Sequence, residues 1–310
     1  MPFEYQVVPD AQAAAFTAHG GLPLVLDTMR ITGVSAALDE HLHFRKRQSG
    51  YSERELIEAM VLLIAVGGEC MEDIGALGED RALLGLLGVE KLPSPDALRA
   101  ALQSFHDESK LEQARAALGD GERALRVRAS ERLEQLGRVN TALIAAMHRA
   151  HPVPIATLEA DASIIESHKR QATPHYEGGR GYQPVVVYWV EHDVIVHTEF
   201  RDGNVPAGKE PLRALKDGVA ALPAAMRRRF RGDSAFYESH TLRFLMDPTH
   251  AFERFTVSAD MGAELRALCV AAPPEAWQLL EERATVSVWF TEVESTPGDL
   301  PKNAQPLRTI

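Results

Sequence analysis

The sequence is poor in cysteine and in long apolar runs. Its 310 residues contain two cysteines, Cys70 and Cys269, which lie far apart and form no CxxC pair. A disulfide framework or a zinc site is therefore not expected. The longest apolar run, Val61 to Val66, is far shorter than the ~20 residues that a membrane-spanning helix needs. The acidic N-terminus lacks the basic stretch of a secretory signal, so we expect a cytoplasmic protein that has no membrane contact.

Basic residues are in the minority. The chain has 33 Lys and Arg against 44 Asp and Glu, and its formal net charge is -11. This balance argues against nucleic-acid binding, because phosphate contacts need Lys and Arg. Two local clusters run the other way: Arg45, Lys46 and Arg47, and then Arg227, Arg228, Arg229 and Arg231. Each cluster is either a phosphate-binding patch or an ordinary solvated face.

The length and the composition indicate two globular domains. Apolar residues make up 45% and charged residues 25%, which is ordinary for a protein with a packed core. A chain of 310 residues is long enough for two such domains. We place the first boundary at 152/153, where the pattern changes from helical to strand-like.

Residues 22 to about 150 show helical periodicity. Ser52 and Glu55 form a capping-box pattern, and Ser94 with Pro95 marks a second helix start. A long amphipathic stretch is expected from Leu111 to His148. Short helices joined by tight turns can form a DNA-binding helix-turn-helix unit, or an ordinary bundle. Both interpretations of this region stay open.

Strand-like segments follow Pro152. A strand leads into Asp161, and a hairpin, a helix, the segment before Asp233, a second helix and another strand come after it. The ranges are 155–158, 184–190, 193–200, 210–222, 238–246 and 252–257, with a further strand at 285–294. This order predicts a mixed α/β sheet that begins with an antiparallel hairpin.

Two acidic residues stand where strands end. Carboxylates at the ends of neighbouring strands can converge, as Asp161 and Asp233 would here. Hard cations such as Mg²⁺ bind carboxylate oxygens, and two such ions can drive an in-line phosphoryl transfer. An aspartate near a strand end, taken alone, is more often a turn residue or a cap than a metal ligand.

Three segments resemble those of insertion-sequence DDE transposases. They are LEADASIIE around Asp161, YEGGRGYQP at 176–184, and RGDSAFY around Asp233. The N-terminal helices are similar to that family as well, less specifically. The resemblance is to the group with a β-rich insertion after the second aspartate, the insertion-sequence thirteen-eighty group. The Gly-rich part of the middle segment precedes a strand, so we interpret it as a turn that carries Arg180 and not as a phosphate loop.

The resemblance implies a fold, a reaction and partners. The fold is α/β: a helical region at 1–152 for DNA binding or assembly, an RNase H-like mixed-sheet core at 153–270, and the start of a β-insertion at 271–310. The reaction is cutting and joining of element ends with Mg²⁺ or Mn²⁺ held by Asp161 and Asp233. The partners are double-stranded terminal-repeat and target DNA, with a homo-oligomer when active, in the bacterial nucleoid. We expect the DNA phosphates to be contacted by Arg45, Lys46, Arg47, Arg180, Arg227, Arg228, Arg229 and Arg231.

The chain departs from the family pattern at the third carboxylate. Family members carry a catalytic Glu on a helix near the C-terminus, and no such helix is visible in the 77 residues after Asp233. We therefore expect a C-terminally truncated transposase that is inactive alone. One alternative is a non-catalytic, decayed fragment that still binds DNA or an intact transposase. Another is a compact metal-dependent nuclease that uses Glu166 or Asp260 as its third acid.

Overall fold

The structure is a computed structural model that describes residues 16–45, 50–119, 124–283, 285–297, 300–301 and 304–310. These residues form two compact units. One comprises the described residues up to Val153 together with Ala221–Pro223, and the other comprises Pro154–Ala220 and Ala224–Ile310. Lys46 and Arg47 lie outside the described residues. No helix in the described part of the chain is long and apolar enough to cross a membrane.

The first unit is built from helices around an apolar core. They are α1 (Leu22–Ile31), α2 (Val34–His41), α3 (Glu53–Ala65), α4 (Ile74–Glu79), α5 (Arg81–Leu87), α6 (Pro95–Gln103), α7 (Glu108–Ala116) and α8 (Glu131–Ala150). The capping box at α3 is confirmed, since the Ser52 hydroxyl accepts the Glu55 N–H at 3.2 Å and the Glu55 carboxylate accepts the Ser52 N–H at 2.6 Å. The predicted start of α6 is confirmed too, with Ser94 as its cap. Leu38, Leu83 and Leu98 are fully buried in this core.

The single amphipathic stretch expected from Leu111 to His148 is wrong. One helix, α7, ends at Ala116, and the next, α8, begins at Glu131. Gly119, a poor helix former, follows the end of α7. Ser130 then starts α8 by accepting the Leu133 N–H at 3.3 Å. Apolar periodicity on both sides of the break hid it in the sequence.

The second unit contains a five-stranded mixed sheet with helices packed on it. Its elements are β1 (Ile155–Ala162), β2 (Ile165–Glu166), β3 (Thr173–Pro174), β4 (Arg180–Tyr182), β5 (Val185–Trp189), β6 (Val194–Glu199), α9 (Pro211–Ala221), β7 (Arg227–Gly232), α10 (Ser239–Met246), β8 (Phe252–Val257), α11 (Ala263–Ala271), β9 (Gln278–Glu282), β10 (Ser287–Phe290), β11 (Val293–Ser295) and β12 (Leu307–Thr309). The main sheet has the order β6-β5-β1-β7-β8. β5 is antiparallel to β1 and β6 to β5, whereas β7 and β8 run parallel to β1. This is an RNase H-like arrangement, so the predicted fold class is confirmed.

The two faces of the sheet differ in burial. Leu158, Val187 and Trp189 on one face are fully buried. α9 packs close to β5, because a Cβ added at Gly218 would lie 2.7 Å from the Val187 side chain. The other face, which includes Glu159, is more polar and more exposed. The alternation places the candidate carboxylate of Asp161 on this exposed face.

Smaller sheets flank the main one. β2, β4 and β3 form a three-stranded sheet in the connection between β1 and β5, and the sequence analysis did not identify it. The single strand expected at 285–294 is wrong. Its first half, β10, pairs with β9, and its second half, β11, pairs with β12. Alternation indicates an extended backbone but does not say where the pairing partner changes.

Candidate active site

The structure brings Asp161 and Asp233 together at one edge of the sheet. β1 and β7 are parallel neighbours whose last paired residues are Ala160 and Gly232. Asp161 directly follows Ala160, and Asp233 directly follows Gly232. Adjacent strands lie ~4.8 Å apart, so the two aspartates are neighbours. Both side chains line one open cleft of about 760 Å³. Residues 72 positions apart in the sequence therefore share a single site.

Each aspartate is oriented by a hydrogen bond from the backbone N–H of a residue that follows it in the chain. Oδ1 of Asp161 accepts the Ala162 N–H at 2.7 Å, and Oδ1 of Asp233 accepts the Ala235 N–H at 3.0 Å. Neither carboxylate forms an ion pair with any residue that the structure describes. Two exposed carboxylates thus share the cleft without a protein cation, which is an environment that favours a bound positive charge.

Packing under the turn after β7 holds Asp233 in place. Phe230 and Phe236 are each 1% exposed, and their ring centroids lie 5.4 Å apart. Gly232 allows this approach, because a Cβ there would meet the Phe230 ring at 2.9 Å and Phe236 at 3.2 Å. Gly232 and Phe236, which flank Asp233 in the motif, therefore have a packing role.

The opposite wall of the cleft is a loop anchored by Arg201, a residue that the sequence analysis missed. Residues of this loop line the cleft: Gly203, Asn204, Pro206, Ala207 and Gly208. The Arg201 side chain is fully buried, and its guanidinium donates to the Lys209 carbonyl at 2.9 Å and the Ala207 carbonyl at 3.3 Å. Its Nε donates to Glu199 at 2.7 Å. The sequence offered one signal for this role: an arginine shortly before a Gly-Asn pair, in the segment between a strand and a helix.

Glu199 compensates the buried charge of Arg201. Its second oxygen accepts the Nε–H of Arg213 on α9 at 2.7 Å. Burial by itself raises the pKa of Glu199, but the adjacent guanidinium groups of Arg213 and Arg201 outweigh it and hold the pKa below its usual range. Glu199 therefore stays ionised, and its bonds to Arg201 and Arg213 connect β6, the cleft loop and α9.

Tyr176 stands at the mouth of the cleft. Its side chain is 78% exposed, and it lines the cleft beside both aspartates. The negative charge of Glu177 raises the pKa of the Tyr176 hydroxyl, and Asp161 and Asp233 raise it further. The phenol therefore remains protonated near neutral pH and can donate a hydrogen bond in the cleft.

The arginines of β7 are already engaged within the protein. Arg227 pairs with Glu253 at 2.7 Å, and Arg231 pairs with Glu159 at 2.5 Å. Arg229 lies 3.8 Å from Glu253 as well. Arg228 is on the opposite face, where it donates to the His250 carbonyl at 2.6 Å and where burial lowers its pKa.

Two further predicted DNA contacts also have partners within their own units. Arg180 donates to the backbone carbonyls of Arg170 and Ala172, so its guanidinium braces a turn. The backbone N–H of Arg45 donates to Glu53 at 2.9 Å in the first unit.

A third carboxylate does not join the pair within the described ranges. No cluster of three or more His, Cys, Asp or Glu residues that could hold a metal occurs there. Glu166 lies on β2 near Gly179, and Asp260 lies beyond β8 near Tyr237, whose pKa is raised by burial and then by Asp260. Neither acid lines the cleft.

The sequence matches a family model over most of its length. Residues 2–296 match the model described as transposase DDE domain, group 1. No curated protein matches the sequence.

The solved structures that are similar to this one include two complexes. One is a piggyBac transposase synaptic complex with hairpin DNA, at 12% identity and a TM-score of 0.40, covering 85% of this chain and 55% of that chain. The other is a Mos1 mariner paired-end complex with Mn, at 12% identity and a TM-score of 0.26, covering 76% of this chain and 68% of that chain. The chain thus spans little more than half the length of the piggyBac transposase.

Proposed function

The chain belongs to the family of transposase DDE domains, group 1, and we propose that Asp161 and Asp233 are its catalytic, metal-binding carboxylates. The observation that carries this proposal is their position. They follow the last paired residues of two parallel neighbouring strands and line one cleft. We propose DNA as the substrate, which is cut and joined at the ends of a mobile element. The motifs around 161, 176–184 and 233 suggest an element of the insertion-sequence thirteen-eighty group.

The donor set fits a divalent cation. Each carboxylate uses Oδ1 for a backbone hydrogen bond, which leaves Oδ2 as a ligand for a hard cation such as Mg²⁺ or Mn²⁺. When bound, such cations activate a water or hydroxyl nucleophile and stabilise the leaving oxygen of a phosphodiester. The protein supplies position: the backbone bonds fix both carboxylates, and the loop held by Arg201 shapes the other wall. The Tyr176 hydroxyl can donate a hydrogen bond to a phosphate oxygen that enters the cleft.

We further propose that this chain does not complete the transposition reaction alone. The support is the lack of a third metal-binding side chain near the two aspartates among the described residues. Phosphoryl transfer depends almost wholly on positioning and on charge stabilisation, so a cation held by two carboxylates is a weak catalyst. The same observation favours a second candidate function, a non-catalytic protein that binds DNA or pairs with a complete transposase as an oligomer.

Strand cleavage tests the proposal. Supercoiled DNA is incubated with the chain and Mg²⁺ or Mn²⁺, alone and with a complete transposase of the same family. We expect no cleavage by the chain alone. Cleavage by the chain alone that disappears in Asp161→Asn would instead support a compact nuclease with Asp161 at its centre. The same cleavage retained in both Asp161→Asn and Asp233→Asn would remove the site assignment.

A further inference from the structure

A short basic turn connects two strands of the small sheet that contacts the cleft loop. Residues 168–170, His168, Lys169 and Arg170, connect β2 to β3 and are exposed. We name them the basic turn. Neither Lys169 nor Arg170 forms an ion pair with any residue in the described ranges, in contrast to the arginines of β7.

The basic turn has a fixed backbone. The Ser167 N–H donates to the Arg180 carbonyl at 2.9 Å, and the Ala172 N–H donates to the Lys169 carbonyl at 3.0 Å. The Arg180 guanidinium donates to the Arg170 carbonyl at 3.3 Å from the other side. A charged turn that is held by its own backbone loses little conformational entropy when a ligand binds.

The same small sheet supports the loop that lines the cleft. Thr173, the first residue of β3, accepts the Asn204 N–H at 3.1 Å through its hydroxyl. A Cβ on Gly203 would lie 2.9 Å from the Thr173 carbonyl oxygen, so the cleft loop rests directly on β3. Arg170 is three residues from Thr173, at most about 10 Å along the chain at ~3.3–3.6 Å per residue. That is about three nucleotides at the ~3.4 Å axial spacing of one DNA strand.

We propose that the basic turn binds the phosphate backbone of duplex DNA next to the cleft, with Lys169 and Arg170 as the contacting residues. This inference rests on the proposed function, since it assumes that DNA occupies the cleft. The formal net charge of the chain is -11, so exposed cations that form no ion pair with a described residue are favourable points of approach for a polyanion. Phosphate contacts of this kind position the duplex without reading its sequence.

Salt-dependent DNA binding tests the basic turn. The affinity of the full 310-residue chain for a short duplex of arbitrary sequence is measured over a range of salt concentrations. The basic-turn variant carries both Lys169→Ala and Arg170→Ala. It is compared with a control variant that carries both Arg254→Ala and Arg266→Ala. The control removes the same charge from two exposed arginines of the same unit, on β8 and α11. Thermal unfolding shows whether each variant keeps the fold.

The basic-turn variant should flatten the slope of log K against log salt by about 1.8, at ~0.9 for each phosphate contact. The control variant should leave the slope nearly unchanged. Equal slopes for the unaltered chain and the basic-turn variant would overturn the inference and leave the proposed function standing. An equal loss in the control would also overturn it, since the effect would then be general charge. No DNA binding by the unaltered chain at low salt would remove both the inference and the proposed DNA substrate.

Discussion

Arg201 shows how a single buried charge can determine the shape of a surface site. It lies entirely inside the second unit, and most of its donors go to backbone carbonyls of the loop that faces Asp161 and Asp233. A buried guanidinium is stable only when its donors are satisfied and its charge is paired. Glu199 supplies the pairing, so the cleft wall depends on a residue that does not itself line the cleft.

We expect Glu199→Gln to destabilise the protein in a pH-dependent way. Removing one partner of a buried ion pair costs about 3–5 kcal/mol, whereas an exposed pair such as Glu281 with Arg283 contributes little to stability. The folded pKa of Glu199 is lowered, so its contribution is present above the unfolded value of ~4.3 and is lost as the pH falls through the folded pKa. Urea unfolding at neutral and at acidic pH measures both effects.

Glu281→Gln is the matched control for that experiment. It makes the same chemical change at an exposed ion pair and should leave the free energy of unfolding almost unaltered. If Glu199→Gln were as stable as this control at neutral pH, the loop anchor would be unimportant. If the two variants lost stability equally on acidification, the pH effect would not belong to Glu199.

At the scale of elements, the strands of the second unit differ in how well they are covered. Leu158 on β1 and Phe230 on β7 are almost completely buried. β9 is exposed along its whole length, and the β9-β10 ribbon shows Leu280 at 65% exposed and Trp289 at 53% exposed. A two-stranded ribbon without a packed face is marginally stable in water.

Hydrogen exchange should separate these elements. Backbone amides of β1 and β7 are expected to exchange slowly, near the rate of global unfolding, because their opening requires the core to open. Amides of β9 and β10 should exchange much faster. Mass spectrometry of peptic fragments measures both sets in one experiment, and α9 serves as an internal reference for a packed element. Equal protection in β9 and β1 would mean that the ribbon is covered in solution, for example by a partner.

At the scale of the whole molecule, negative charge dominates and the candidate site adds to it. The total of -11 includes two carboxylates that share a cleft to which the described part of the chain contributes no Lys or Arg. Repulsion between such groups is relieved when a cation binds, and binding to the folded state alone raises its stability. The affinity of this cleft for metal therefore has a readout that needs no catalysis.

Mn²⁺ should raise the midpoint of thermal unfolding. A ligand at 100 times its Kd stabilises the folded state by about 2.7 kcal/mol. Asp161→Asn and Asp233→Asn should each remove most of this shift, because the cation would lose one of two carboxylate ligands. Asp217→Asn, a partly exposed aspartate on α9 outside the cleft, is the control and should keep the shift. The assignment fails if all three variants respond to Mn²⁺ as the unaltered chain does.

The sequence by itself determined several local features and singled out the two candidate carboxylates. Capping at Ser52 and Ser94, the β5-β6 hairpin and the strand at 252–257 follow from interactions between residues a few positions apart. The two aspartates were identified because their flanking residues form a motif. Within it, Gly232 and Phe236 have a packing role in the structure.

Only the tertiary structure decided which charges are free and which strands pair. Arg227 and Arg231 form a basic cluster in the sequence, but β8 and β1 place Glu253 and Glu159 beside them. The basic turn at 168–170 drew no notice in the sequence, yet no ion pair with a described residue engages Lys169 or Arg170. The physical reason is range: helix and strand preferences act over two to four residues, whereas charge compensation and strand pairing depend on segments that meet only when the sheet forms.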